Sequence, residues 1–291
     1  MLTDRIRLSG GTDDEPEDIL SSCLGVIFPD DITHHHGDKD SSVVYLSPAF
    51  GPLEISVADP QAEDHRRLFS HFLWNAGLQL AEFIEDGSSS GDNGGEGGDN
   101  GSGRCEWDVN GQRVLEVGAG TGLAGLVAAL RGAKEVVLSD YPAQEVLVNL
   151  RANVQRNVST RAKDKVAEIR VQGHEWGVLD DDFSKAEKGG FGRILAADCL
   201  WMPWQHENLL RSISWFLAEG GRAWVVAGFH TGRAKMRGFF EDEAVRAAGL
   251  EVERIWERNA EGAEREWVTD RGVEDITLRK RWLVIAVLKH R

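Results

Sequence analysis

Val114-Leu115-Glu116-Val117-Gly118-Ala119-Gly120-Thr121-Gly122-Leu123 is an apolar run that ends in a carboxylate and then sets a glycine at every second position. Residues 123–130 behind it have the composition of a helix. The stretch therefore reads as a strand, a tight turn and a helix start. Glycine suits such a turn because a Cβ would block the bend and keep a ligand away from the backbone. The helix start behind it offers unpaired N–H groups and the positive end of a dipole. The dinucleotide fingerprint would need a third glycine at position 123, where this chain has Leu123.

Downstream, strand and helix patterns alternate, as in a parallel sheet. A strand over 136–139 ends in Asp140-Tyr141-Pro142, with Asp140 standing 22 residues after Gly118. A carboxylate there is placed to accept both ribose hydroxyls of an adenosine. A helix spans 145–158, with Asn149, Asn153 and Asn157 on one face, read as residues engaged in local capping and turn bonds. A strand over 167–171 leads to Gly173-His174-Glu175-Trp176-Gly177, whose indole faces the ligand side of such a sheet. The next strand, 193–197, ends in Asp198-Cys199-Leu200-Trp201, and a helix follows over 209–217. Gly220-Gly221 reads as a turn before a strand over 223–228, and Phe229 to Arg233 then falls on the ligand edge. A helix over 234–248 is closed by Gly249. Strands over 250–256 and 281–289 end the chain, joined by a charged connection.

Upstream, 43–46 and 53–57 are strand-like runs separated by Pro48, Gly51 and Pro52, which predicts a β-hairpin. Asp59-Pro60 opens a helical pattern to about residue 85, with Trp74 inside it. Residues 87–103, GSSSGDNGGEGGDNGSG, contain no apolar side chain and read as a flexible insertion. Residues 1–40 are polar and acidic apart from an island at 24–28. His34-His35-His36 is a poor metal site, since three adjacent histidines cannot all face one ion from a regular element. No metal is expected.

The chain has 291 residues, 41% of them hydrophobic, enough for one sizeable α/β core. Thirty-three basic against 48 acidic side chains give a net charge of −15. Such a surface repels phosphate backbones and attracts basic partners, so a nucleic-acid partner is not expected. No apolar run approaches the roughly 20 residues of a membrane span, and no apolar signal region opens the chain. Cys23, Cys105 and Cys199 lie far apart without zinc-type pairing. A cytoplasmic setting, with the nucleus as a second one, is the expectation.

These pieces together resemble the class I methyltransferases that use S-adenosylmethionine. More narrowly, the chain is similar to the lysine-methyltransferase-like family and its fungal nicotinamide N-methyltransferase-like branch. The matching motifs are LWNAGLQLAEF, VLEVGAGTGLAGLVAAL, VVLSDYP, GHEWGVL, LAADCLWMPWQHENLLRSI and GGRAWVVAGFH, from about Ser47 to the C-terminus. The resemblance implies an α/β fold: a seven-stranded, doubly wound, Rossmann-like sheet in the order 3-2-1-4-5-7-6, with strand 7 antiparallel and an N-terminal β-hairpin extension. It divides the chain into an extension over 1–58 and a methyltransferase domain over 59–291.

It also implies roles. Trp74 would close over the cofactor. Gly118, Ala119 and Gly120 would line its methionine and ribose side, and Glu116 would support the turn or meet the amino group through water. Asp140 would hold the ribose hydroxyls. Tyr141 and Trp176 would flank the adenine, with Glu175 or Gly177 adding backbone bonds. Ala197 would touch the cofactor. Asp198 and Trp201 fall on the family's Asp-x-x-Tyr motif at the substrate edge and are the expected catalytic pair. Tryptophan replaces the usual tyrosine or phenylalanine, keeping an aromatic wall that holds an amine by its π face.

The expected activity is S-adenosylmethionine-dependent N-methylation of a protein amine, a lysine side chain or an N-terminus, releasing S-adenosylhomocysteine. The alternative is a small-molecule amine such as nicotinamide or a fungal metabolite. The expected partner is a basic protein or small amine, and the expected state a monomer.

Overall fold

The glycine turn joins a strand to a helix in a computed structural model of the chain, which describes residues 1–9, 35–37, 42–58, 72–87, 107–158 and 166–291. The island at 24–28, Cys23, Cys105, the helix start expected at 59–71 and nearly all of the 87–103 insertion lie outside these residues.

The N-terminal part is a three-stranded sheet. β1 (Ile6–Ser9) pairs antiparallel with β3 (Ser42–Ser47), which forms a hairpin with β4 (Gly51–Ile55). Val43, Tyr45, Leu53 and Ile55 are fully buried and share one apolar cluster with the helices below. The Tyr45 hydroxyl donates to Glu85 at 2.7 Å, and Ser47 Oγ donates to the same carboxylate.

A two-residue strand, β2 (His35–His36), pairs with β5 (Leu73–Trp74), and α1 (Asn75–Asp86) begins only after it. This corrects the placing of Trp74 within a helix. Its backbone is extended (φ −90°, ψ 150°) and it is the residue that precedes α1. Strand pairing with His35 holds it there, a contact that helical periodicity cannot announce.

The central sheet is assembled from β6 (Arg113–Val117), β7 (Glu135–Asp140), β8 (Glu168–Gly173), β9 (Phe191–Ala197), β10 (Leu217–Gly228), β11 (Leu250–Asn259), β12 (Glu264–Glu266) and β13 (Trp282–His290). Its order is β12-β11-β13-β10-β9-β6-β7-β8, eight strands against the seven implied. β8, β7, β6, β9 and β10 are parallel, and β13 runs antiparallel to β10 and β11. Most of these strands are covered on both faces, which is why β6 and β7 read as nearly unbroken apolar runs. On one face lie α1, α2 (Leu123–Leu130) and α3 (Gln144–Asn157). On the other lie α5 (His206–Phe216), α6 (Arg233–Met236) and α7 (Asp242–Ala247), with the short α4 (Asp182–Ala186) at the rim. The chain winds away from β6 in both directions, toward β7 on one side and β9 on the other. That reversal leaves a crevice at the carboxyl ends of β6 and β9.

Three local readings change. Gly220-Gly221 is no separate turn: β10 starts at Leu217, and the glycines sit at a register shift between Leu217 and Arg222. The helix over 234–248 divides into α6, a 3-10 turn Arg237–Phe240 and α7. Neighbouring Phe239 and Phe240 seat on different partners, His206 (5.6 Å) and Trp267 (5.4 Å), so the backbone re-aims between them. The connection before β13 contains β12 and α8 (Ile276–Lys280).

The asparagines of α3 do more than cap it. Asn157 accepts from the Glu54 N–H (2.9 Å) and donates to its carbonyl (2.8 Å). Asn153 does the same with Ser56 and also donates to Thr121 O at 3.0 Å. Asn149 donates to Ser56 O at 2.9 Å. The helix face thus completes the backbone hydrogen bonds of β4 and the residue that follows it.

Candidate functional site

The crevice is built around the glycine turn. Gly118, Gly120 and Gly122 have φ of 63°, 54° and 80°, the left-handed region that side chains disfavour. A Cβ on Gly118 would lie 2.8 Å from Cys199 Sγ and 2.9 Å from the Trp176 ring. Strands β6 and β9 and the loop after β8 close on this one backbone position, so only glycine fits.

Two carboxyls brace the turn from below. Asp140, at the end of β7, accepts the N–H groups of Gly120 and Tyr141, both at 2.7 Å. Glu116 accepts the Gly125 N–H at 2.9 Å, tying β6 to the first turn of α2. Both are almost fully buried. Burial pushes Asp140 up to about 6 against the pull of its two N–H donors. It pushes Glu116 up to about 8, with the Asp140 charge adding to the rise and the Gly125 N–H opposing it.

A cleft of about 990 Å³, its open mouth included, runs along this edge. Glu116, Gly118, Ala119, Gly120, Asp140 and Tyr141 line it on the β6–β7 side. Trp74 closes it from the start of α1, Trp176 from the loop after β8, and Ala197, Asp198 and Trp201 from the end of β9. Trp74, Glu116, Gly118, Ala119, Gly120, Asp140, Tyr141, Trp176, Ala197, Asp198 and Trp201 all line this cleft. Glu175 also lines it, but the Gly177 N–H is taken by Ser212 Oγ at 2.8 Å and is not offered to a ligand.

Asp198 is the sole non-glycine with positive φ (58°) among the described residues. Such strain concentrates at functional sites. Its carboxyl is buried, accepts the Gly228 N–H at 3.2 Å and lies 3.7 Å from His230 Nδ1. Burial raises its pKa, while His230 and the Gly228 N–H lower it. Trp204 stands 72% exposed between Met202 and Gln205, both at the cleft wall.

Two histidines near the ligand edge received no role from the sequence. His174 lines the cleft, and burial pulls its pKa down to about 4. Its Nε2 meets Ser212 Oγ at 3.0 Å, while its buried Nδ1 has no protein partner among the described residues. His230 stacks on Trp74. Both follow the carboxyl ends of strands, which was the available signal. Cys199 also faces the cleft, but burial holds its thiol well above the ordinary range and it donates to Val117 O at 3.4 Å. It is packing rather than a nucleophile. His36, from the histidine triplet, meets Asn75 Oδ1 at 2.7 Å. Among the described residues no group of three or more His, Cys, Asp or Glu is placed to hold a metal ion.

The site has the parts an adenosyl ligand needs. It offers a cradle that a Cβ would fill, a carboxyl at the second strand end, aromatic walls and an orphaned buried ring nitrogen. Comparison with known proteins agrees. A family profile described as lysine methyltransferase matches residues 60–243. The protein N-terminal and lysine N-methyltransferase EFM7 of Yarrowia lipolytica is 29% identical over 267 residues, covering 86% of each chain. The protein of the same name from Candida glabrata is 30% identical, covering 76% of this chain and 74% of its own. A solved structure from Streptococcus mutans, described as a SAM-dependent methyltransferase, shares the fold, with a TM-score of 0.51 at 11% identity, over 94% of this chain and 65% of its own. The family match over the glycine turn, Asp140 and the end of β9 makes this chain a member of the lysine methyltransferase family.

Proposed function

We propose that this chain is an S-adenosylmethionine-dependent N-methyltransferase that acts on a protein amine, a lysine side chain or an N-terminus. The observation that carries it is the meeting, in one switch-point cleft, of the Asp140-braced glycine turn with Asp198 and Trp201. The names of the fungal relatives, protein N-terminal and lysine N-methyltransferase, support the choice of acceptor. The catalytic unit is taken as 59–291, with 1–58 as an extension. The neighbour order β8-β7-β6-β9-β10-β13-β11 supports reading its strands in the family order 3-2-1-4-5-7-6, with β12 added at the rim.

S-adenosylmethionine supplies a methyl group already activated on a sulfonium. The protein's task is therefore alignment, which contributes on the order of 7–11 kcal/mol at best. Asp140 accepts the ribose hydroxyls. Tyr141 and Trp176 flank the adenine. Gly118, Ala119 and Gly120 follow the ribose and methionine side, and Ala197 leaves room for the methyl group. Glu116 supports the turn by accepting the Gly125 N–H with one oxygen and lines the cleft beside it. Trp74 covers the cleft. Asp198 attracts and orients the incoming amine, which loses its proton to water. Trp201 walls the channel and offers its π face to the nitrogen.

The test is to incubate the purified chain with methyl-labelled cofactor and a fungal lysate. Label in protein bands, traced by mass spectrometry to a lysine or an N-terminal amine, is the expected result. Label confined to the small-molecule fraction would overturn the protein acceptor. No calorimetric binding of S-adenosylmethionine at millimolar concentration would overturn the activity itself.

A further inference from the structure

His230 connects the two walls of the cleft. It follows β10 in the 3-10 turn Phe229–Thr231. Its ring stacks on the Trp74 indole, with centroids 4.7 Å apart and planes 22° apart. On the other side, its Nδ1 stands 3.7 Å from Asp198 Oδ1, a charge-pair distance beyond hydrogen-bond range. Gly228 keeps that space open. A Cβ there would lie 3.2 Å from His230 Nδ1 and 3.7 Å from Asp198 Oδ2.

The Asp198 side chain needs such a partner. Its left-handed backbone is held by its own N–H on Val226 O at 2.8 Å, which turns the carboxyl toward the end of β10. Among the described residues it meets there one N–H, from Gly228, and one imidazole. A buried carboxylate with so few donors drifts toward its neutral form, and the imidazole opposes this. The stack on Trp74 in turn limits how far the imidazole can rotate.

We propose that His230 is a positioning residue, holding the Asp198 carboxylate charged and oriented for the substrate amine. This rests on the reading of Asp198 as the amine-binding group. The test uses the full chain with the unmethylated form of an acceptor protein identified in the lysate assay. His230→Phe retains a stacking ring and removes both nitrogens. His230→Lys keeps a cationic group able to reach the Asp198 carboxylate and removes the ring. Asp198→Asn is the parallel control. Expected is a kcat loss of about tenfold or more in His230→Phe, with cofactor Kd by calorimetry within about twofold of wild type. His230→Lys should recover most of that loss. In the double variant, His230→Phe should add little to Asp198→Asn. Wild-type kcat in His230→Phe beside an inactive Asp198→Asn would overturn the inference alone. Equal loss in His230→Phe and His230→Lys, or parallel loss of cofactor affinity, would also overturn it, because the charge beside Asp198 would then not be what His230 contributes. Wild-type turnover in Asp198→Asn would instead overturn the reading on which it rests.

Discussion

Glu116 and Asp140 are buried carboxyls on adjacent parallel strands, each answered by backbone N–H groups. Removing the Asp140 carboxyl should do two things. Cofactor affinity should fall by about tenfold or more, the value of one charge-assisted hydrogen bond of roughly 1.5–3 kcal/mol. The melting temperature should also fall, because the N–H groups of Gly120 and Tyr141 lose their acceptor. Calorimetry and a thermal melt of Asp140→Ala check both, and unchanged affinity would refute the ribose assignment. Glu116 has a pH signature. Its pKa rises from 4.5 unfolded to about 8 folded, so between these values the folded state holds more protons than the unfolded. Stability from this group therefore falls as pH rises through that window. Glu116→Gln removes the ionisation and keeps an acceptor for Gly125. Its melting temperature should match wild type near pH 4 and exceed it at pH 8 by on the order of a few degrees. A gap that does not change with pH would refute the buried, ionising carboxyl.

Among the elements, α3 shows how a surface-like pattern becomes a structural one. Asn149, Asn153 and Asn157 are spaced by four residues, which places them on one helix face. Their amides each present a donor and an acceptor, as a neighbouring strand would. The N-terminal sheet uses them in that way, with Asn153 fully buried against Ser56. Asn153→Ala would leave the Ser56 N–H without this acceptor and take one of two amide donors from its C=O, the Asn149 amide remaining. It should cost about 1–3 kcal/mol in urea unfolding, and Asn149→Ala, partly exposed, less. A wild-type midpoint for Asn153→Ala would show that the ladder does not hold the sheet. The spacing was legible in the sequence. Its partner was not, because Glu54 lies 103 residues from Asn157.

At the scale of the whole molecule, the long connection after β11 is fastened by charge. Glu257, fully buried, accepts from Arg233 at 2.6 Å and from Arg265 at 2.7 Å. Arg233 also bonds Val268 O at 2.8 Å and lies over the Phe229 ring at 4.2 Å. The network thus reaches the turn that carries His230. Glu257→Ala leaves a buried guanidinium short of its main partner and should cost about 3–5 kcal/mol by chemical unfolding. Wild-type stability should respond weakly to added salt in this region, since dry pairs are little screened. A loss under about 1 kcal/mol would show that the pair is not needed to close the structure.

Strand and helix alternation, the glycine turn and the chain positions of Asp140, Trp176, Asp198 and Trp201 can all be read from the order of residues alone. These are legible because side-chain periodicity and turn chemistry are local. Once the strands are parallel, residues just past their carboxyl ends must converge on one edge. Other features arise from contacts between distant segments. The extended backbone of Trp74 comes from its pairing with His35, the work of the α3 asparagines from β4, and the tie between His230 and Asp198 from the closeness of β9 and β10. An imidazole, an amide or a buried glutamate carries the same chemistry wherever it stands in the chain. Which group it meets is set by packing, and packing is a property of the folded whole.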